Sequence, residues 1–426
     1  QGGCQCENAP GLRVEFSNME IAAAPAPRRQ LLVAATGDWT KTTMTVEGPG
    51  VEKAYRLLDA RERLHYEIHD FPHNYNQTTR EVVYSWFNHW LLGAGLPVPV
   101  KELPHTPLTE ETVRVFPGAK QPAGALTEEE FIRARMQEAA VQLSRLIPSD
   151  RRTVEEFKRV QSVAWRHNLQ LDVAPQVIVE RGEVMELGTI RATRLAFGRP
   201  GRGDRIPAVL LAPKSGKKST LVVVVHPEGK GASLDAAGRP VGLAGALVQQ
   251  GFSVLLPDLF LTGENARPDA AAKRNYFDKF FTTYNRTDIQ ERVQDLITAC
   301  MAARKELGAR KTVLAGVGRA GLWTVLAAPV ADGVAADCAG VSDADDKELL
   351  AQDLFTPGLQ RMGGFAGVAA LAAPHPALLH NAKPEYGGAA LRASYAAAKG
   401  TDKLRLEGQA LDDSAVAAWI AAQFGR

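Results

Sequence analysis

Two distant stretches of this chain match one another in order and spacing, and a duplicated block has to fold into the same supersecondary unit twice. IAAAPAPRRQLL at 21–32 aligns with VAALAAPHPALL at 368–379 at one constant offset of 347 residues. Further on, AYRLLDARERLHYE at 54–67 aligns with SYAAAKGTDKLRLE at 394–407, an offset of 340. Each block runs Ala-Pro, apolar strand, helix, strand, terminal helix; the first closes with REVVYSWFNHWLL and the second with SAVAAWIAAQF. Alanine-rich segments can align by chance, but the common order and spacing favour duplication. Residues 1–95 are therefore expected to be the last third of a domain whose whole second copy occupies about 175–426.

Local patterns agree with that division. LLVAA at 31–35, closed by Thr36-Gly37-Asp38, reads as a buried strand ending in a turn, and residues 64–68 alternate as a second strand. VEKAYRLLDA and QTTREVVYSWFNHWLLG have helical spacing, the latter stopped by Gly93. Residues 96–174 are expected to be a linker followed by a helical segment, with helix starts at Thr127 (TEEE) and Thr153 (TVEEF). After Pro175 come strands at VIVERGEV, TIRATRLAF, IPAVLLA, TLVVVVH, FSVLLPD, TVLAG and VAADCAG, interleaved with helices at GLAGALVQQ, IQERVQDLITACMAARKEL and LWTVLAA. Two early hairpin strands followed by alternating strand and helix predict an α/β fold with a mostly parallel, doubly wound sheet. On the long helix, Asp288, Glu291, Arg292 and Asp295 have the spacing of a solvated, ion-paired face.

Composition narrows the partners. Among 426 residues, 45% are hydrophobic, and 50 basic side chains nearly balance 48 acidic ones, which excludes a disordered or coiled-coil chain as the main state. A net charge of +2 gives no electrostatic reason to bind nucleic acid or an anionic membrane. The longest strongly apolar run, LVVVV at 221–225, is strand-sized, so no membrane span is expected. Cys4, Cys6, Cys300 and Cys338 are too few for a disulfide scaffold and Cys4/Cys6 lack a second ligand pair, so no metal and no cofactor is implied. The chain opens QGGCQCENAP, without Met and without a charged-then-apolar leader, and is expected to be cut at its start.

Chemistry concentrates in two places. KTVLAGVGRAGLWTVLAA has strand, glycine turn and helix in succession. As G-x-G-x-x-G, its Gly316, Gly318 and Gly321 fit a dinucleotide fingerprint with Asp337 or Asp343 as ribose acid. As a nucleophile elbow, G-x-S-x-G, it carries Gly318 in place of serine and Ala320 in place of the last glycine. Several strands precede the turn, whereas a dinucleotide site opens its domain, and this favours the degenerate elbow. In the first block, histidines stand at 65, 69, 73 and 89. The strand-like alternation around 65–69 argues against a helical metal-binding face.

At this point the chain resembles the α/β-hydrolase superfamily, in particular its acetyl xylan esterase and dienelactone hydrolase-like members. The resemblance is carried by CQCENAPGLR, APRRQLLVAATGDWTKTT and FPHNYNQTTREVVYSWFNHWLL, and more weakly by GDRIPAVLLAP, VVVVHPEGKG, GFSVLLPDLFLTGEN, the elbow-like turn and APHPALL. It implies a Ser-Asp-His order, with Asp38 on the acid position after the seventh strand and His73 on the histidine position after the eighth. Such a trio is needed because a hydroxyl becomes a good nucleophile only when a neutral imidazole takes its proton, and a carboxylate orients that imidazole. Trp39 and Asn74 would border the substrate. The serine is not in the first block: Ser17, in PGLRVEFSNME, has no glycine elbow around it.

The second block keeps the frame without the chemistry. Gly318 replaces serine, Glu385 stands opposite Asp38, Asp413 stands opposite His73, and His226 falls where the family's oxyanion loop lies. The resemblance thus implies the C-terminal portion of a serine carboxylester hydrolase acting on acylated carbohydrate or small esters, completed by a missing N-terminal half, plus a pseudohydrolase copy. Export from the cell or into a periplasm is implied by resemblance alone. The competing expectation is a non-catalytic scaffold or carbohydrate-binding module in which both copies are inert.

Overall fold

A computed structural model of the chain describes residues 8–93, 99–116, 118, 121–215, 218–278 and 280–425; Cys4 and Cys6 lie outside these. The chain divides into two compact units, 1–128 with 279–285, and 129–278 with 286–426. The helical part of the expected 96–174 connection thus belongs with the second unit.

The first unit is built on helix α1 (Asn18–Ala23), strand β1 (Gln30–Gly37), helix α2 (Gly48–Leu57), strand β2 (Leu64–Pro72) and helix α3 (Gln77–Trp90). β1 and β2 pair in parallel from Gln30↔Leu64 to Ala35↔His69 and, after a register shift, Gly37↔Pro72. A small core of Val51, Tyr55, Ala60 and Leu64 joins α2 to the sheet. α3 is capped by Asn76, whose side chain accepts from Thr79 N. It is fastened to the chain beyond it by Arg80–Glu102, Lys101–Glu81 and the bond from Val100 N to Ser85 Oγ.

In the second unit, α4 (Glu128–Ser144) starts at the boundary and α5 (Arg151–Asn168) begins at an Asp150 cap with Thr153 three residues on, so the cap is Asp150 and not Thr153. α5 is anchored by buried Phe157 and by the indole of Trp165, which donates to Leu326 O. Strands β3 (Ile178–Leu187), β4 (Ile190–Gly198), β5 (Ile206–Pro213), β6 (Thr220–Val225), β7 (Ser253–Pro257), β8 (Lys311–Gly316), β9 (Gly333–Asp337), β10 (Ala377–His380) and β11 (Leu404–Leu406) form one sheet in the order β11-β10-β9-β8-β6-β7-β5-β4-β3. From β7 to β11 the strands run parallel, while β3, β4 and β5 are antiparallel neighbours. Every residue of TLVVVV in β6 is buried, as a central parallel strand covered on both faces requires. The covering helices are α6 (Gly242–Gln249), α7 (Asp288–Lys305), α8 (Ala320–Ala327), α9 (Gly364–Ala370), α10 (Ala389–Ala397) and α11 (Asp413–Phe424). This is a mostly parallel, doubly wound α/β sheet. Among the described residues no helix is long and apolar enough to cross a membrane.

Of the four α7 charges only Glu291 keeps partial access to solvent, paired with Arg286; the other three are not on a solvated face. Asp288, Arg292 and Asp295 are all buried. Asp288 accepts from Arg274, and the Arg292 guanidinium lies 4.3 Å from the Trp323 ring centroid and donates to Phe260 O. The Asp295 carboxylate accepts from Phe260 N, and burial raises it well above the ordinary carboxylate value. Periodicity marks charges as neighbours on a helix, but only the layer packed over the helix decides whether water reaches them.

The two blocks share details as well as order. Gln30↔Leu64 in one and Ala377↔Leu404 in the other are the same pair at the two sequence offsets. Tyr55 and Tyr395, both fully buried, donate to Arg28 O and His375 O, one residue past Pro27 and Pro374. Asp59 and Lys399 both adopt positive φ. The Tyr395→Phe variant removes the hydrogen bond to His375 O and is expected to lower stability by about 1 kcal/mol, measured as a shift of the denaturation midpoint.

Acid behaviour follows from the α3 anchor. Lys101, Gln77 and the Glu102 amide hold the Glu81 carboxyl at about 2, against its ordinary 4.5. A depressed carboxyl contributes stability above its unfolded value and loses it as pH falls through the folded one. The segment 99–102 should therefore stay on α3 at pH 5 and weaken progressively from about 4.5 towards about 2; amide exchange at Val100 and Glu102 across that range measures it.

Candidate active site

In the first unit, the end of β1 passes directly against the end of β2. A Cβ on Gly37 would stand 2.9 Å from Pro72 Cα, so only glycine permits that approach. Since Gly37 is opposite Pro72, the next residue of each strand, Asp38 and His73, emerges side by side. His73 Nδ1 lies 2.7 Å from Asp38 Oδ2, and Asp38 Oδ1 accepts from Trp39 N at 2.6 Å. The His73 hydrogen bond, aided by the Trp39 amide, holds the Asp38 carboxyl below its ordinary value. The Asp38 side chain is 14% exposed and the His73 ring 80% exposed. Nε2 of His73 has no hydrogen-bond partner among the described residues, leaving it open to an incoming group.

Neighbouring residues separate by task. His65 and His69 both bond the Glu67 carboxylate, at 2.9 and 2.8 Å, and so do not converge with His73. Asn74 is used by the backbone: its Oδ1 accepts from Asn76 N and its Nδ2 donates to Pro72 O, which shapes the loop that presents His73. Trp39 is exposed beside the pair. Ser17 caps α1 in a capping box with Glu20, and Ser85 donates to Glu81 O on α3, so neither hydroxyl is offered to His73. A cavity of about 640 Å³ beneath α3, lined by Leu31, Trp86 and Trp90 among others, includes neither Asp38 nor His73.

In the second unit Gly318 stands between β8 and α8 at φ +53°, in the sharp turn expected of an elbow. The flanking glycines are there for contact: a Cβ on Gly316 would meet Gly321 Cα at 2.4 Å, and one on Gly321 would meet Asp337 O at 2.0 Å. Asp337 Oδ2 accepts from Gly318 N at 3.2 Å, while its Oδ1 accepts from Ala339 N and Asn381 Nδ2. The acid expected to meet a ribose is folded onto the glycine turn instead, and the turn amide is already filled. His226 follows β6 on a loop whose Pro227 neighbours Gly318. Its Nδ1 accepts from Glu228 N.

The acid and histidine counterparts do not meet. Glu385 is bonded by Ser342 Oγ, which lowers its carboxyl. Asp413 is the first residue of α11, whereas His73 lies four residues before α3, so the ungapped pairing of the two does not hold at this loop. Burial raises Asp413 against the opposing influence of His226 and His380. His380, buried at the end of β10 with Nδ1 accepting from Leu411 N, was not legible in the sequence because it reads as part of an apolar strand.

No family model and no curated protein matches the chain. Solved structures similar to it are α/β-hydrolase-type esterases. A protein from Bacteroides fragilis assigned as an acetyl xylan esterase is 11% identical with a TM-score of 0.49, over 66% of this chain and 82% of that one. A methylesterase is 16% identical with a TM-score of 0.48, over 69% of each chain. A glucuronoyl esterase from Solibacter usitatus is 11% identical with a TM-score of 0.42, over 61% of this chain and 92% of that one.

Gly318→Ser tests the elbow geometry. The nearest atom to its added Cβ is Pro227 Cγ at 3.8 Å, so the side chain fits, and the positive φ costs about 1–2 kcal/mol. The variant is expected to fold, with a slightly lower melting temperature, and to show no ester hydrolysis in a chromogenic acetate assay.

Proposed function

We propose that the Asp38–His73 pair is the acid and base of a serine carboxylester hydrolase, and that the serine belongs to a part of the protein outside this chain. The supporting observation is the 2.7 Å bond between His73 Nδ1 and Asp38 Oδ2 at the carboxyl ends of two adjacent parallel strands, with Nε2 turned free. Asp38 accepts a hydrogen bond from the Nδ1–H of His73 and so fixes the tautomer in which Nε2 is the base. Nε2 accepts the serine proton as the hydroxyl oxygen attacks the acyl carbonyl. The imidazolium then protonates the departing alcohol, and water, deprotonated by the same nitrogen, releases the acid and restores the serine. The low carboxyl value of Asp38 keeps it ionised to balance the imidazolium.

The substrate class is an acyl ester of a carbohydrate or a similar small ester, as the sequence resemblance implies. The second unit acts as a non-catalytic partner domain: Gly318 has no hydroxyl, its amide is bound by Asp337, and Glu385 is bonded to Ser342.

The chain alone is expected to be inactive on 4-nitrophenyl acetate. Extended by the residues that precede Gln1 in its reading frame, it should turn over. There His73→Ala or Asp38→Asn should reduce kcat by about 10³–10⁴. Full activity in His73→Ala removes the assignment.

A further inference from the structure

We infer that α1 and the free edge of β1 form a docking surface for one specific occupant: a strand–turn–helix–strand segment lying immediately upstream of this chain in the same polypeptide, the first unit's counterpart of β8, the Gly318 turn, α8 and β9. This rests on the reading of Asp38 and His73 as an incomplete triad, and it adds where and how the missing part binds.

The second unit serves as the template, because the two blocks share strand register, the tyrosine-to-carbonyl bond and the positive-φ residue. There, β10 is paired on both edges. β11 takes one, and β9 takes the other from Ala377↔Val334 to His380↔Asp337. Backbone bonds from Val334 N to Pro376 O and from Cys338 N to His380 O continue that edge. In the first unit, β1 pairs with β2 alone among the described residues. Its other edge carries no partner strand among the described residues, the arrangement that recruits an added strand, although at the carboxyl end Ala35 N donates to Thr40 Oγ1 and Ala35 O accepts from Asp38 N.

Burial points the same way. α9 and α1 correspond at the offset of 347. All seven residues of α9 are buried, packed against α8, and no residue of α1 is buried. Val368 is 0% exposed and its counterpart Ile21 is 38% exposed; Leu378 and Leu379 are fully buried, while Leu31 and Leu32 are only partly so. What is uncovered on the first unit is therefore the area that β9 and the elbow helix cover on the second. In chain order β8, α8 and β9 (311–337) precede α9, so the same offset places their counterparts before residue 1. β8 and β9 are adjacent strands, with Gly316 opposite Ala336 and Leu379 opposite Ala336 on the other side. A matching segment on β1 would set its turn two strands from Leu32, about 10 Å across the sheet, at the end where Asp38 and His73 stand.

Ile21→Glu gives a clean test, since Ile21 is at the surface in the chain alone and its replacement should leave that fold intact. Hydrogen exchange is followed at α1 and β1 in the chain as given and in the chain extended by the residues preceding Gln1. The extension should slow β1 exchange at 31–33 by at least about 100-fold, and Ile21→Glu should return it to within a few-fold of the unextended chain while leaving α2 protection unchanged. Unchanged β1 exchange on extension, insensitivity to Ile21→Glu, or the absence of any upstream strand–turn–helix segment overturns the proposal. Exchange and activity separate the two ideas. Protection that survives in an extended His73→Ala chain with no loss of esterase activity retains docking and removes the triad. Esterase activity without β1 protection retains the triad and removes the docking surface.

Discussion

The close approach of the β1 and β2 ends at Gly37 and Pro72 is the constraint on which the candidate site depends. Two parallel strands in this register deliver the residues after their ends to the same place. The backbone therefore sets the Asp38–His73 distance, and the side chains need only turn towards each other. A side chain at position 37 would push the strands apart before any chemistry could be arranged. The surrounding bonds serve the same end: Asn74 and Asn76 tie the loop and the start of α3, and Tyr55 holds the chain entering β1.

The second unit presents the same strand frame with different polar groups at its turns. Strand order, register and turn persist, since they depend on backbone pairing and on glycines that fill van der Waals contacts. The polar groups have been taken up internally: Asp337 by the Gly318 and Ala339 amides and Asn381, and Glu385 by Ser342. In a low-dielectric interior, unpaired polar groups are costly.

Much of this was legible in the sequence where a pattern is local. The apolar run of β1, the alternation of β2, the LVVVV run of β6, the strand–turn–helix at Gly316–Gly321 and the duplicated block all depend on near neighbours or on direct comparison of letters. What depends on packing was not. The α7 carboxylates have the spacing of a solvated face, yet are covered by the 258–278 region and α8. Asp413 falls opposite His73 in an ungapped alignment, but the stretch from the start of β11 to the start of α11 is four residues shorter than that from the start of β2 to the start of α3. His380 sits inside an apolar strand and shows no motif.

By itself the sequence determined that the chain holds one strand–helix–strand–helix frame twice and that a glycine, Gly318, stands at the turn of the second, because periodicity, glycine turns and repeats are properties of order along the chain; Asp38 and His73 were singled out by resemblance to known hydrolases. Tertiary structure alone decided that Asp38 and His73 touch while Glu385 and Asp413 do not, and that, among the described residues, α1 has no buried residue and β1 is paired on one edge only, where α9 is wholly buried and β10 is paired on both. Contact and exposure are set by elements far apart in the chain, and a linear pattern carries no record of which surfaces meet.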